Sequence, residues 1–227
     1  MQTTKFSREE YQHAIVVVGQ FNPAIVQPAW LISKGWIGET EGNNARNLIV
    51  HNEIARMDFD SFGVEVTQER FLLKATQEPF FPLLRDLGVN IFETLKETPV
   101  KAVGINSVMH YKFENQANRD EFAWFVHPRT TWQKVLNDPR IWKAEMVEKR
   151  MNGRAGHFRV GMEVSELLKD NGCKFTLNDH FEVSQSTHDS TKELVLMLKE
   201  EWEKSIQKQK TLVTDLWNLF KSQNEVK

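Results

Sequence analysis

Apolar and polar positions alternate along this chain in two rhythms, and the switches between them outline a fold. Residues 1–13 are polar and predict a frayed or helical start. Ile15 to Phe21 reads as a β-branched strand that Asn22-Pro23 ends. Trp30 and Trp36 fall in a short helix or turn, and Gly38 to Asn44 reads as a loop. Leu48 to Met57 and Val64 to Ala75 predict paired strands around Asp58 to Gly63. Pro79 suits a first helical turn, and Phe80, Leu84, Leu87, Ile91 and Leu95 then recur at helical spacing.

Thr98-Pro99 breaks the chain, and the order begins again. Val103, Ile105, Ser107, Met109, Tyr111 and Phe113 occupy every second position, as one buried face of a strand does. Asn118 and Glu121 fit a helix N-cap and its third residue, ahead of Phe122 and Phe125, and Asp138-Pro139 reads as another helix start. Asn152-Gly153 is the strongest two-residue hairpin signal, flanked by Met146 to Met151 and Arg154 to Glu163. Asn171-Gly172 predicts a turn, after which Phe175, Leu177, Phe181 and Val183 mark a strand face. A long helix follows from Ser190, where Ser190 and Glu193 suggest a capping box. Its stripe runs through Val195, Leu198, Trp202, Ile206, Val213, Leu216 and Phe220.

This repeated order of strand, helical segment, paired strands and helix predicts an internal duplication: a first unit over 1–97 and a second over 98–227, forming one compact body. An offset of 110 residues aligns Glu53 with Glu163, Asp60 with Asp170, Glu69 with Asp179 and Phe71 with Phe181. The fold class expected is α+β, two strand–helix–hairpin–helix repeats joined into a curved antiparallel sheet with helices on one face. That arrangement is similar to the saddle of the TATA-box-binding protein, a likeness of fold that says little about function.

Charge changes the functional picture more than the fold. The 227 residues carry 29 Lys and Arg against 31 Asp and Glu. Balanced charge argues against a dedicated nucleic-acid binder, which needs clustered cations to neutralise phosphates. The single cysteine, Cys173, excludes an internal disulfide and a multi-cysteine zinc site, and is expected to be a buried small hydrophobe. The apolar run from Ala14 to Val18 is too short for a signal-peptide core, and no stretch approaches the ~20 apolar residues of a membrane span. A soluble protein of the reducing cytoplasm is expected.

The segments FNPAIVQPAWL (Phe21 to Leu31), TPVKAVGIN (Thr98 to Asn106), HPRTTW (His127 to Trp132) and LNDH (Leu177 to His180) carry a family resemblance. Over about Ile15 to Trp217 the chain resembles a sporadically distributed family of uncharacterised, conserved hypothetical bacterial proteins. The resemblance implies the fold class and a bacterial origin. It implies no activity and assigns no site residue.

Candidate chemistry is sparse. Asp179 falls among Phe175, Leu177, Phe181 and Val183, and a carboxylate on an apolar face needs a partner or a raised pKa. With His180 it is the candidate for acid–base work, although on a strand the two project to opposite faces. The structural alternative places Asp179 near a strand end, accepting backbone hydrogen bonds. Asn106, His110, Lys112, Glu163, Asn178 and His180 are expected on one polar sheet face, which could bind a ligand or simply face water. His110, His180 and Glu163 could conceivably hold a metal, but no metal and no cofactor is expected. GxGxxG, GxxxxGK[ST] and GxSxG patterns do not occur. The seven tryptophans are spread along the chain and are expected in core packing. Leu216, Trp217 and Phe220 are expected to contact the first unit or a second chain. The leading expectation is a non-catalytic protein-binding or assembly component, with another protein or a second copy as partner. An unfamiliar enzyme using Asp179 and His180, or nucleic-acid binding through the sheet, is the alternative.

Overall fold

A computed structural model describes residues 6–151, 153–184 and 189–225. The fold is α+β, built on one open antiparallel sheet of nine strands. In chain order these are β1 (Phe6–Gly19), β2 (Arg46–Val50), β3 (Ile54–Asp58), β4 (Gly63–Thr67), β5 (Arg70–Ala75), β6 (Val100–Phe113), β7 (Lys143–Lys149), β8 (Gly156–Ser165) and β9 (Lys169–Glu182). They lie in the order β2-β3-β4-β5-β1-β6-β9-β8-β7. The helices are α1 (Pro28–Ser33), α2 (Glu39–Asn43), α3 (Phe81–Thr94), α4 (Gln116–Val126) and α5 (Ser190–Glu225). Among the described residues no helix is long and apolar enough to cross a membrane.

The centre of the sheet is the pair β1 and β6, 14 residues each. Outside β1 lies a meander running β5, β4, β3, β2, and outside β6 lies a second one running β9, β8, β7. Phe71, Val17, Val103 and Phe181 stand abreast across β5, β1, β6 and β9, all without solvent contact. The other three pairs of the 110-residue offset do not match in setting. Glu69 is exposed in a turn whereas Asp179 is buried within β9, and Glu53 and Asp60 lie in turns whereas Glu163 and Asp170 lie in strands.

One sheet face carries Ile15, Val17, Leu73, Val103, Ile105, Met109, Phe175 and Phe181, and α3, α4 and α5 pack on it. The 36 residues of α5 span about 54 Å at 1.5 Å per residue, a little more than the ~46 Å of a 14-residue strand. The helix therefore has sheet beneath it along nearly its whole length. Its N-terminal half runs beside α3, with Lys199–Glu93 and Arg85–Glu203 ion pairs across the seam.

Several local expectations are corrected. The segment ahead of Ile15 is strand from Phe6, because it pairs with the far end of β6. The apparent strand Leu48 to Met57 is split at Asn52-Glu53, and Val64 to Ala75 at Gln68-Glu69, giving four strands where two were expected. Neither turn contains Gly or Pro, and only the polar runs His51 to Glu53 and Thr67 to Arg70 mark them. Residues 39–43 form α2 rather than loop. The N-cap of α4 is Asn115, whose Oδ1 accepts from the Asn118 backbone N–H. No helix starts at Asp138-Pro139, and Asn171-Gly172 lies inside β9. Ser190 and Glu193 form no capping box. The Ser190 hydroxyl accepts from the Val100 N–H, and the Glu193 carboxylate accepts from the Ser184 N–H and hydroxyl.

Asn152 lies outside the described residues, but the strands around it decide the hairpin. Lys149 pairs with His157. That register centres the loop on Gly153, whereas a two-residue turn at 152–153 would pair Met151 with Arg154. The longer connection places Gly153 at φ +81° and Gly156 at φ +135°, both outside the range comfortable for other residues.

Candidate functional site

The polar residues predicted to share a face do so. Asn106 of β6 lies opposite Asn178 of β9, and Arg159 of β8 flanks Asn178 on the other side. His180 stands between Gly104 and His157, and Lys174 between His110 and Glu163. This is the face that α3, α4 and α5 leave uncovered. It is divided into two groups of different character. At one end Lys174 Nζ lies 2.5 Å from Glu163 and 2.8 Å from Glu166, and His110 Nδ1 lies 2.7 Å from the Ser165 hydroxyl. Burial lowers the His110 pKa, against the neighbouring Glu10 carboxylate that raises it. At the other end the His157 and His180 rings stack 4.7 Å apart. Burial first, and then the proximity of His157, lower the His180 pKa. The side-chain oxygens of Asn106 and Asn178 lie between, shielded from solvent and without a hydrogen-bond partner.

Lys174 and His180 are six positions apart on β9, roughly 20 Å of strand. The conceivable metal set is thereby taken apart, with Glu163 beside Lys174 and His180 remote from both His110 and Glu163. Among the described residues no three His, Cys, Asp or Glu side chains group as metal ligands.

Asp179 occupies the covered face, 4% exposed. Its carboxylate pairs with Arg150, which reaches over from the β7–β8 connection. The guanidinium lies 3.6 Å over the Phe181 ring and its Nε donates to the His180 carbonyl at 3.3 Å. Asp179 thus lies near the end of β9, as the structural alternative expected, but its carboxylate is held by Arg150 and not by backbone N–H groups. It lines a cleft of about 470 Å³ between α5 and the β7–β8 hairpin, with Phe158, Glu201, Lys204, Ser205 and Lys208. The sheet separates Asp179 from the His180 imidazole, so the two cannot reach one substrate atom together.

A second polar assembly escaped the sequence reading. His13 of β1 is fully buried, with Nε2 2.5 Å from the Tyr11 hydroxyl and Nδ1 2.7 Å from the Ser107 hydroxyl. Ser107 donates to Gln209 Oε1 of α5, and Gln209 Nε2 donates to the Ile105 carbonyl and the Ser205 hydroxyl, both at 2.9 Å. A hydrogen-bonded chain thus runs from Tyr11 to Ser205 at the cleft wall. Burial pushes the His13 imidazole down to about 3 and the Tyr11 phenol well up. The signal was present: Ser107 sits at an apolar register position of its strand, and Gln209 falls on the helix stripe between Ile206 and Val213.

Trp217 and Phe220 do not run past the sheet. Trp217 stacks on Phe6 of β1 at 4.2 Å, and both pack against Phe122 of α4, with Leu216 half-buried beside them. Trp217 thus meets the first unit through Phe6, whereas Phe220 packs on Phe122 and Phe125 of the second. Cys173 is buried, and its thiol pKa is pushed up to about 12 by burial, as inert packing requires. Large apolar side chains are instead exposed at the two ends of the sheet. Leu48, Ile49 and Val50 lie on β2, and Trp132, Val135, Leu136, Trp142, Met146, Val147 and Met151 lie on β7 and the segments joined to it. In comparisons with known proteins, no protein-family model and no curated protein matches the chain.

Proposed function

We infer that this chain is a non-catalytic binding or assembly component that holds another protein at the ends of its sheet. The observation that supports this most is the concentration of exposed apolar side chains there, above all the run from Trp132 to Met151. Single exposed apolar residues are ordinary, whereas several gathered at one edge of a sheet are a candidate contact surface. The uncovered face supports the same reading more weakly. Many of its charges stand in neighbouring pairs, Arg70 with Glu65, Lys74 with Asp58, Lys174 with Glu163 and Arg159 with Glu145. Such a surface presents no continuous track of cations to a phosphate backbone.

The setting is that of the bacterial family the sequence resembles, in the cytoplasm, with the two halves taken as copies of one ancestral unit. The test is affinity capture from the native host with the wild-type chain and with a Val135→Ser, Trp142→Ser variant. A protein retained by the first and lost by the second, with the fold unchanged by circular dichroism, is the expected result. Equal recovery with both overturns the assignment. An enzyme is the second reading, favoured by the cleft that Asp179 lines. It requires the Arg150 pair to open, and a small molecule retained in native mass spectrometry and lost on Asp179→Asn would favour it.

A further inference from the structure

The two ends of the sheet are not equivalent. β2 is five residues long, its pairing with β3 slips between Arg46 and Ile49, and Asn47 has φ +52°. Irregularities of this kind blunt an edge against further pairing. β7 has none of them. Its seven residues pair with β8 without a slip, and every one but Ala144 is exposed. Arg150 N–H donates to the Gly156 carbonyl, and Val164 N–H donates to the Trp142 carbonyl. Both pairs fall in the β7–β8 register, so the even-numbered residues of β7 turn their backbone groups toward β8. In an antiparallel ladder the intervening residues then point theirs the other way. Lys143, Glu145, Val147 and Lys149 therefore present free N–H and C=O groups along an open edge.

The geometry points to a second copy of this chain as the occupant of that edge, joined strand to strand about a two-fold axis through Val147. This rests on the reading of the chain as a binding component and names the partner. Two-fold pairing keeps each copy's faces in register, so it must match outward-facing residues with one another. Three registers do that near the middle of the strand. One places Glu145 against Glu145, and another places Lys143 against Lys149. The third sets Val147 against Val147, with Glu145 of each copy facing Lys149 of the other. Like charges directly opposite are unfavourable and opposite charges favourable, so only the third is complementary. Among the described residues Lys149 has no ion-pair partner within its own chain, while Glu145 lies 3.4 Å from Lys143 and 3.3 Å from Arg159, exposed pairs that leave its carboxylate able to face a further cation. Val147 is 61% exposed, and the Met146 side chains of the two copies become diagonal neighbours on the helix-covered side.

The test is sedimentation velocity of the full chain across a concentration series, at low and at high salt. The wild type is expected to dimerise reversibly and more weakly in salt. Lys149→Glu replaces both cross-copy attractions by repulsions and is expected to raise the dissociation constant about tenfold or more. Glu145→Lys should do the same, and the double exchange Glu145→Lys, Lys149→Glu should restore the dimer. Val147→Pro removes only an outward N–H and should leave a folded monomer. A wild type that stays monomeric to high concentration, a dimer indifferent to Val147→Pro, or a double exchange that fails to restore what the single changes lost would each overturn the inference. A monomer that still captures a different protein through Val135 and Trp142 would overturn self-pairing while leaving the binding reading intact.

Discussion

Protonation of His13 should be a principal route by which acid unfolds this protein. The imidazole has no solvent contact, and burial lowers its pKa to about 3, from about 6.5 in an unfolded chain. A group with a depressed folded-state pKa is protonated first in the unfolded state. Between these two values the unfolded chain binds more protons, so stability falls as pH falls. The contribution is complete above about pH 6.5, is lost progressively below it, and is exhausted near pH 3. Each unit of difference is worth about 1.4 kcal/mol. Three units of it would remove roughly 4 kcal/mol from a domain stability of about 5–15 kcal/mol. His110 and His180 are depressed as well and act in the same direction. The perturbation that isolates His13 is His13→Gln, which keeps a donor and an acceptor but cannot titrate. Urea midpoints of both proteins from pH 7.5 to 4.5 are the assay. The wild-type advantage should shrink by roughly 2–3 kcal/mol across that range, starting near pH 6.5. Parallel pH profiles for the two proteins would refute the argument, because they would mean that His13 titrates equally in both states.

Trp217→Ser should lower stability by about 3–5 kcal/mol in denaturant titration, as loss of a buried aromatic does, and should leave the sedimentation coefficient of the folded protein unchanged. Arg150→Met strands the Asp179 carboxylate in the core and should cost about 3–5 kcal/mol, most of which Asp179→Leu in the same chain should return, read by thermal melting. Gly156→Ala should be more damaging than Gly153→Ala in the same measurement. A methyl group at 156 would meet the His180 carbonyl oxygen at 2.1 Å, whereas at 153 it would meet nothing within 4 Å and bear only the cost of positive φ.

The central elements were legible because their patterns are long. The Val103 to Phe113 alternation and the Phe80 to Leu95 stripe each give five or six consistent positions, and both elements exist with the predicted face buried. The polar face of Asn106, Asn178 and His180 followed directly from that alternation. Illegibility has two physical sources. Turns such as Asn52-Glu53 lack Gly and Pro, so the short polar run is their only mark and is easily read as the polar positions of one longer strand. The His13 network depends on pairing across 94 residues between β1 and β6 and again on α5, and no local pattern specifies such a meeting. Arg150 was likewise invisible as the partner of Asp179, because only the hairpin connection brings it over the covered face.

The position of β1 at the middle of the sheet has a consequence for how the chain acquires its shape. Its neighbour β5 arrives within about 60 residues, but its other neighbour is β6, whose pairing with it joins residues as far apart as Phe6 and Phe113. Loop-closure entropy makes such a contact slow to form. During synthesis the β2–β5 meander and α3 can be complete while one flank of β1 still lacks its partner. The seam between the halves should then close last, with α5 laid across it only after residue 190 has emerged. Until that moment the centre of the finished sheet is an edge, and a strand that the native sheet pairs on both sides lies open to mispairing on the way there.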